Sequence, residues 1–544
     1  MKNSKKKISS LLIIFELILF VIVIALGIVV IVQKNIGSEQ YIPFFLIMGV
    51  VFLSINIVSV KNCRKDRCLK GKDMINAEFF NDVKGKRVAI LGLGVSNLPL
   101  VRMLISKGEC KSITVYDKKS IEEMDADAQA LASMGVNFVC GFNGISEDII
   151  FRSPGFRPDR EELSVALADG AILTSEMEKF LQYTSASTFA ITGSDGKTTT
   201  TTLTGKFLSE SGRTFVGGNI GTPLLDKCTD MTEQDFAVLE LSSFQLMNMP
   251  YAPMNAAITN ISPNHMDWHV DEDEYAFAKF NIVGENTRRL VVNAESPKTY
   301  EFGMKVLRES DKEVFFFSSK RNSYASVIGE KNERAKLFCI IDGAIALNDG
   351  ETVEPILDLK SIILPGMHNV ENYTTAIALT YGYVDKAVYR AVAESFGGVE
   401  HRLELVREIN GVQYYNSSID SSPTRTAAAL SALFGRDIVV ICGGYDKNLD
   451  YSPLADALLS SARAVVLTGA TADKIYNALV SNPEFSENKL TVVRAESFED
   501  AVLCASRLGK DGGCVLLSPA SASFDRFKNF MERGAYFKEL VSKL

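Results

Sequence analysis

Along the chain the apolar positions fall into two regimes. Residues 8–32 are almost continuously apolar, broken mainly by Ser9, Ser10 and Glu16, and a second run covers 41–60. Each is long enough to cross a hydrocarbon core of about 30 Å as a helix. From Lys86 onward short apolar runs are separated by amphipathic stretches, the alternation of a parallel α/β architecture. Strands are expected at 87–91, 112–116, 189–191, 237–240, 256–260 and 289–293, then at 437–443, 464–468, 490–493 and 514–518. Helices are expected over 99–107, 274–281 and 369–383, and 314–363 reads as a small β-rich insertion. The predicted organisation is a membrane hairpin with a basic linker (1–75) followed by three α/β domains, 76–181, 182–398 and 399–544.

Charge orients the hairpin. Lys2, Lys5, Lys6 and Lys7 precede the first run, and Lys61, Arg64, Lys65, Arg67, Lys70 and Lys72 follow the second. The positive-inside rule puts both ends in the cytoplasm, so the body is expected there, anchored to the inner face of the membrane. The first run is too long for a cleaved signal peptide, and a second span follows it. A net charge of −8 argues against a nucleic-acid partner, because no basic excess exists to meet a phosphate backbone. Nine scattered cysteines without a C-x-x-C pair suit a reducing compartment and argue against a disulfide framework or a zinc site.

The densest chemistry is Gly193-Ser194-Asp195-Gly196-Lys197-Thr198-Thr199, directly after an apolar strand. A glycine-bracketed turn running into a helix start aims backbone N–H groups at one spot and adds a field that favours an anion. Lys197 supplies a point charge for outer phosphates, and Thr198 or Thr199 a hydroxyl for Mg²⁺, so a nucleoside triphosphate is the expected ligand. A second glycine turn, Gly92-Leu93-Gly94-Val95-Ser96-Asn97, precedes a strand ending at Asp117. With Asn97 in place of a third glycine it predicts a nucleotide-type crevice only, with Ser153-Pro154-Gly155 on the same rim. Glu240 ends a strand, His265 follows another in Asn264-His265-Met266-Asp267, and Lys279 lies on a helix. Singly, these read as a helix-capping acid, a loop histidine and a surface lysine. Their order after a phosphate loop is what joins them into one candidate site, with Glu240 and His265 within reach of Mg²⁺ and the helix of Lys279 running past it.

That order resembles the Mur ligases, the ATP-dependent amide ligases that build the peptidoglycan precursor peptide. The resemblance runs from about residue 85 to the end. It rests on 193–199, Gly218-Asn219-Ile220-Gly221, the LELSSFQL stretch at 239–246, 264–267, 364–372, His401-Arg402, 443–447, SPASASFD at 518–525, and Phe527 to Gly534. LELSSFQL and SPASASFD point to the D-glutamate-adding branch. The resemblance implies an N-terminal Rossmann-like domain, a central P-loop ATPase-like domain and a C-terminal Rossmann-like domain. It implies that UDP-N-acetylmuramoyl-L-alanine and D-glutamate are the substrates, with ATP and two Mg²⁺ ions. By the same resemblance, Gly94, Ser96, Asn97, Asp117, Ser153 and Asn219 face the UDP substrate. Gly193, Ser194, Asp195, Gly196, Lys197, Thr198, Thr199, Asn369, Asn372 and Arg402 face ATP. Thr198, Glu240, His265 and a carbamylated Lys279 hold metal, Lys197, His265 and Lys279 forming the catalytic set. Ser421, Lys447, Ser523 and Phe530 receive D-glutamate, in a monomeric catalytic body.

Two features depart from the family's common pattern. Soluble Mur ligases usually lack membrane spans. Ser417 stands where many relatives carry an acid and Ile419 where some carry a lysine, and Asp420 is the acid that remains nearby. A ligase with another acceptor and a non-catalytic membrane scaffold are the competing readings. The joint presence of Lys197, Glu240, His265 and Lys279 argues against the scaffold, which needs none of them.

Overall fold

Three β-sheets follow one another along the chain, each built from the short apolar runs noted above. The computed structural model describes residues 78–544, apart from 108, 267, 448 and 487. The expected membrane hairpin lies outside the described residues. Among the described residues no helix is long and apolar enough to cross a membrane.

The first sheet contains β1 (Arg87–Leu91), β2 (Ser112–Asp117), β3 (Asn137–Cys140), β4 (Ile149–Arg152) and β5 (Ile172–Thr174) in the order β3-β2-β1-β4-β5, all parallel. The second contains β6 (Ser187–Thr192), β7 (Thr214–Gly218), β8 (Phe236–Glu240), β9 (Asn255–Ile258), β10 (Arg289–Asn293), β11 (Glu313–Ser318), β12 (Ala335–Ile341), β13 (Ala344–Asn348) and β14 (Val353–Asp358). Their order is β14-β13-β12-β11-β10-β9-β6-β8-β7. The third comprises β15 (Glu404–Ile409), β16 (Val412–Asn416), β17 (Ile438–Cys442), β18 (Ala464–Leu467), β19 (Thr491–Arg494) and β20 (Cys514–Leu517), ordered β15-β16-β20-β17-β18-β19.

Strands buried on both faces carry unbroken apolar runs, as a parallel sheet covered by helices requires. Val88 to Leu91, Phe189 to Ile191 and Ile438 to Cys442 are all buried. One core joins the first two sheets: Val88, Ile90, Phe151 and Phe180 pack in the same cluster as Ala190 and Leu239. The opposite face of the second sheet packs Phe189, Ile191, Leu203 and Phe207 against Tyr373 and Ile377. The helix Lys197–Ser209, which opens at the phosphate loop, is thereby clamped against the helix Met367–Thr380.

The expected strands lie within two residues of the observed ones at every end. Two other expectations are corrected. Segment 314–363 is not an insertion: β11 pairs parallel with β10, and β12 to β14 extend the same sheet. Val314 and Phe316 pack in the core on one face of the sheet and Phe315 and Phe317 in the core on the other, so β11 is a buried internal strand. The helix expected from 99 begins at Gly94, directly on the glycine turn, and carries Pro99 inside it.

Candidate active site

β6 ends at Thr192, the loop turns through Gly193 (φ 144°) and Gly196 (φ 78°), and the helix starts at Lys197. Both glycines are required. A Cβ on Gly193 would overlap Thr259 Oγ1, and one on Gly196 would overlap Asn372 Oδ1. The segment after β9 holds the loop from one side. Ser194 N donates to Asn260 O (2.9 Å), Asp195 N to Asn260 Oδ1 (2.9 Å), and Thr259 Oγ1 to Asp195 O (2.6 Å). Ser194 Oγ lies 2.9 Å from Tyr275 Oη and donates to Ser262 O (2.9 Å).

Two lysines converge on this loop. Lys197 Nζ donates to Gly193 O and Ser194 O, both at 2.9 Å, and Lys279 Nζ reaches the same Gly193 O at 2.8 Å. Lys279 projects from the helix Glu272–Phe280 and is almost wholly buried, not the surface lysine of the plainer reading. Burial lowers both amines, and Lys197 lowers Lys279 further. Glu240, buried at the end of β8, is close enough to pull both back up. Its Oε1 accepts from Asn219 Nδ2 (2.9 Å) and its backbone O from Asn219 N (2.8 Å), while Oε2 is buried without a partner. A buried carboxylate oxygen left unpaired is expensive. Beside two lysines and the threonine-rich helix start it fits a cation held between protein and phosphate. Among the described residues no group of three or more His, Cys, Asp and Glu side chains gathers to hold a metal alone. Hydroxyls and phosphate oxygens would have to complete the shell, which is the usual Mg²⁺ arrangement.

The other candidates surround this centre unevenly. Thr198 is half-buried and Thr199 buried on the first helical turn. His265 is exposed with φ 58°, its ring 5.0 Å from that of Phe244. Asn369 Nδ2 donates to Pro365 O (2.7 Å) and Asn372 Nδ2 to Asn369 Oδ1 (3.3 Å), so both asparagines already brace the helix behind Gly196. Arg402 is exposed and its charge reaches Lys197. It is flanked by two left-handed residues, His401 (φ 65°) and Leu403 (φ 43°). Such conformations cost about 1–3 kcal/mol each and persist only where the surroundings impose them. Asn416 Nδ2 fixes His401 Nδ1 (3.0 Å), and Leu403 N donates to Ser417 Oγ (3.1 Å).

In the first sheet the chain leaves β1 toward β2 on one side and returns to β4 on the other, so a crevice opens at their carboxyl ends. Gly94 and Ser96 begin the helix there, and Asn97 Nδ2 donates to Gly92 O (2.7 Å). Asp117 closes the turn by accepting from Leu93 N (3.1 Å), and Ser153 packs on Gly92. In the third sheet Ser523 is buried and Ser421 half-buried. Phe530 starts the last helix, its carbonyl accepting from Ser418 Oγ (2.8 Å). Lys447 is exposed over the Phe524 ring, 5.8 Å from its centroid.

Sequence reasoning missed several buried polar groups. Arg152, the charged end of an apolar strand, donates to Phe244 O (3.0 Å) and Met247 O (2.8 Å) around the helix Ser243–Leu246. A relay runs from Arg157 to Glu274 (2.8 Å), on to His269 Nδ1 (3.1 Å), and from His269 Nε2 to Ser243 Oγ (2.9 Å). Arg157 holds the Glu274 carboxyl down at about 2, and burial lowers His269. Only the isolated charge within an apolar context signalled Arg152. The relay had no local signal.

Two domain families match the chain: the Mur ligase middle domain over 191–380, and the Mur ligase, glutamate ligase domain over 401–521. A UDP-N-acetylmuramoylalanine–D-glutamate ligase of Ruminiclostridium cellulolyticum is 44% identical over 476 residues, which is 86% of this chain and 98% of that one. The chain belongs to the Mur ligase family. A ligase of the same name from Acetivibrio thermocellus is 42% identical, over 86% of this chain and 98% of that protein. The solved UDP-N-acetylmuramate-alanine ligase of Thermotoga maritima matches with a TM-score of 0.50 at 18% identity, covering 84% of this chain and 99% of its own. That likeness shows the multi-domain α/β fold.

In this Mur ligase the segment after β16 buries an acid. Asp420 Oδ2 accepts from Ser518 Oγ (2.8 Å), and the carboxyl also meets the Ser417 side chain. Burial pushes it up to about 6 from the usual 3.8, against the pull of Arg402 and Arg425. A carboxyl raised on folding contributes stability that is present below its unfolded value and lost as pH rises through the folded one. Two units correspond to about 3 kcal/mol, lost between about pH 4 and pH 6. Asp420→Asn should therefore gain on the wild type in urea midpoint across that window. A difference independent of pH would mean that Asp420 is not desolvated.

Proposed function

We propose that this chain uses ATP to join D-glutamate to UDP-N-acetylmuramoyl-L-alanine in peptidoglycan precursor synthesis. The observation that carries the ligase chemistry is the unpartnered Glu240 Oε2 beside two lysines gathered on one phosphate-loop carbonyl. The choice of substrates is drawn from relatives 44% and 42% identical whose names state it.

A carboxylate does not acylate an amine at neutral pH, because oxide would have to leave. The alanyl carboxylate attacks the γ-phosphorus of ATP, ADP departs, and an acyl phosphate forms. The D-glutamate amine then attacks the acyl carbon; phosphate leaves and the nitrogen gives up a proton. Lys197, exchanging the Gly193 and Ser194 carbonyls for phosphate oxygens, neutralises charge on the transferred group. Thr198 and Glu240 would hold one Mg²⁺, and His265 with Lys279 a second; bound there, the metal supplies Lewis-acid stabilisation of the phosphoryl oxygens. Burial favours the neutral Lys279 amine, which would add carbon dioxide and release a proton to give a carbamate, an anionic ligand. Gly94, Ser96, Asn97, Asp117, Ser153 and Asn219 would receive the sugar nucleotide. Asn369, Asn372 and Arg402 would complete the ATP site, and Ser421, Lys447, Ser523 and Phe530 the amino-acid site. The apolar runs at 8–32 and 41–60 would hold this body at the inner face of the membrane.

Phosphate release by the full chain tests the reading. With ATP and Mg²⁺ it should require both UDP-N-acetylmuramoyl-L-alanine and D-glutamate, with L-glutamate and other amino acids inert. Release with another acceptor would keep the chemistry and move the specificity. No release from folded, ATP-binding protein would overturn the ligase assignment.

A further inference from the structure

Glu176 is a buried acid that the mechanism above does not use. It opens the helix Glu176–Tyr183, between the first and second sheets. Its Oε1 accepts from the backbone N–H groups of Leu224 (3.0 Å) and Leu225 (2.8 Å). Burial, opposed only by those two amides, pushes its carboxyl up to about 7. A capping hydroxyl or amide would bind the same N–H groups at lower desolvation cost. The acid therefore sits where its cost falls on a particular stretch of chain.

That stretch is the loop after β7. Leu224 is buried against Gly217, where a Cβ would strike Leu224 Cγ and Thr222 O, so the loop folds tightly back on its own strand. One end of the loop carries Asn219, bonded through backbone and side chain to Glu240. The other end is held by Glu176. Glu176 also lines the crevice shared by Ser96, Asn97, Arg152 and Gln245, between the carboxyl end of the first sheet and the segment following Glu240.

We propose that Glu176 is a positioning residue: by holding the Leu224 and Leu225 amides it fixes the loop that presents Asn219, and through Asn219 the orientation of Glu240. The sugar-nucleotide crevice and the cation-binding carboxylate are then tied to the two ends of one loop, Glu176 holding 224–225 and Glu240 holding Asn219. The catalytic consequence rests on the reading of Glu240 as a magnesium ligand, whereas the loop clamp does not.

The full chain is compared with Glu176→Gln, whose amide oxygen accepts the same two bonds, and with Glu176→Ala and Glu176→Asp, which withdraw the acceptor. Amide hydrogen exchange over 218–226 should accelerate about tenfold or more in the Ala and Asp variants and stay near wild type in Gln. The KM for Mg²⁺ should rise about tenfold in the same two variants, the scale of removing a partner behind a metal ligand. The Gln variant should retain the wild-type KM. Unchanged exchange in Ala and Asp overturns the clamp. Faster exchange with an unchanged Mg²⁺ KM overturns the link to Glu240, and a Gln variant as impaired as Ala overturns the proposal that Glu176 acts as an acceptor. Asp serves if Ala does not fold. If the wild type lacks ligase activity, the exchange comparison still decides the clamp while the functional reading fails on its own.

Discussion

Lys197→Ala should lower phosphate release by about 10²–10³-fold at saturating substrates, the usual loss when a preorganised positive group is taken from a transferring phosphoryl. The lysine is already bent onto Gly193 O and Ser194 O, so its ammonium is held at the loop before any nucleotide arrives. Burial lowers its pKa, and Glu240 and Asp195 work against that. Removing the side chain leaves Gly193 O still bonded to Lys279 Nζ (2.8 Å) and only Ser194 O without this donor, so the unfolding midpoint should change little. Lys197→Arg should not rescue turnover, because two carbonyls at 2.9 Å around one nitrogen suit a compact ammonium better than a planar fork. Calorimetric titration of ATP alongside the kinetics separates lost binding from lost chemistry. Normal turnover in the Ala variant would remove the phosphate loop from the mechanism.

How far the site could be read in advance depended on whether its parts are local. The turn from Gly193 to Lys197 was legible because strand, glycines and helix start lie within one short stretch, and local sterics dictate the φ values. The strands were legible because burial on both faces forces continuous apolar runs. Lys279 was harder. Its bond to Gly193 O spans 86 residues, and nothing in its own helix marks it as buried. The relay from Arg157 through Glu274 and His269 to Ser243 joins three separate segments, and Glu176 meets its amides nearly 50 residues away; such pairings exist only once the sheets have packed. Segment 314–363 was misjudged for a different reason. Strands followed by tight turns give one and the same pattern whether they start a new sheet or extend an old one. What decides is the parallel pairing of β11 with β10, a tertiary fact.

Arg533→Met should lower stability by about 3–5 kcal/mol, the largest effect expected on folding. Arg533 is almost completely buried on the last helix. Its Nε donates to Ser418 Oγ (3.0 Å) and Nη2 to Ser418 O (2.9 Å), while Nη1 donates to Ser521 O and Ala522 O (both 3.1 Å). No carboxylate is among these partners; Asp525 and Asp420 act only at longer range, and burial lowers the guanidinium to about 10, still charged at neutral pH. Methionine fills most of the volume but leaves the buried Ser418 and Ser521 carbonyls without donors, Ala522 O keeping its bond from Tyr445 N (2.8 Å), which is why the cost exceeds that of a lost surface charge. Lysine keeps the charge yet cannot span Ser418 and the 521–522 backbone from one nitrogen, so Arg533→Lys should recover less than half of the loss. Ser523 and Phe530 lie on the two segments this side chain ties together. The urea midpoint and the KM for D-glutamate should therefore worsen in step, while the KM for ATP stays put. A destabilised variant with an unchanged D-glutamate KM would place the amino-acid pocket elsewhere, and would leave Arg533 as a fold residue alone.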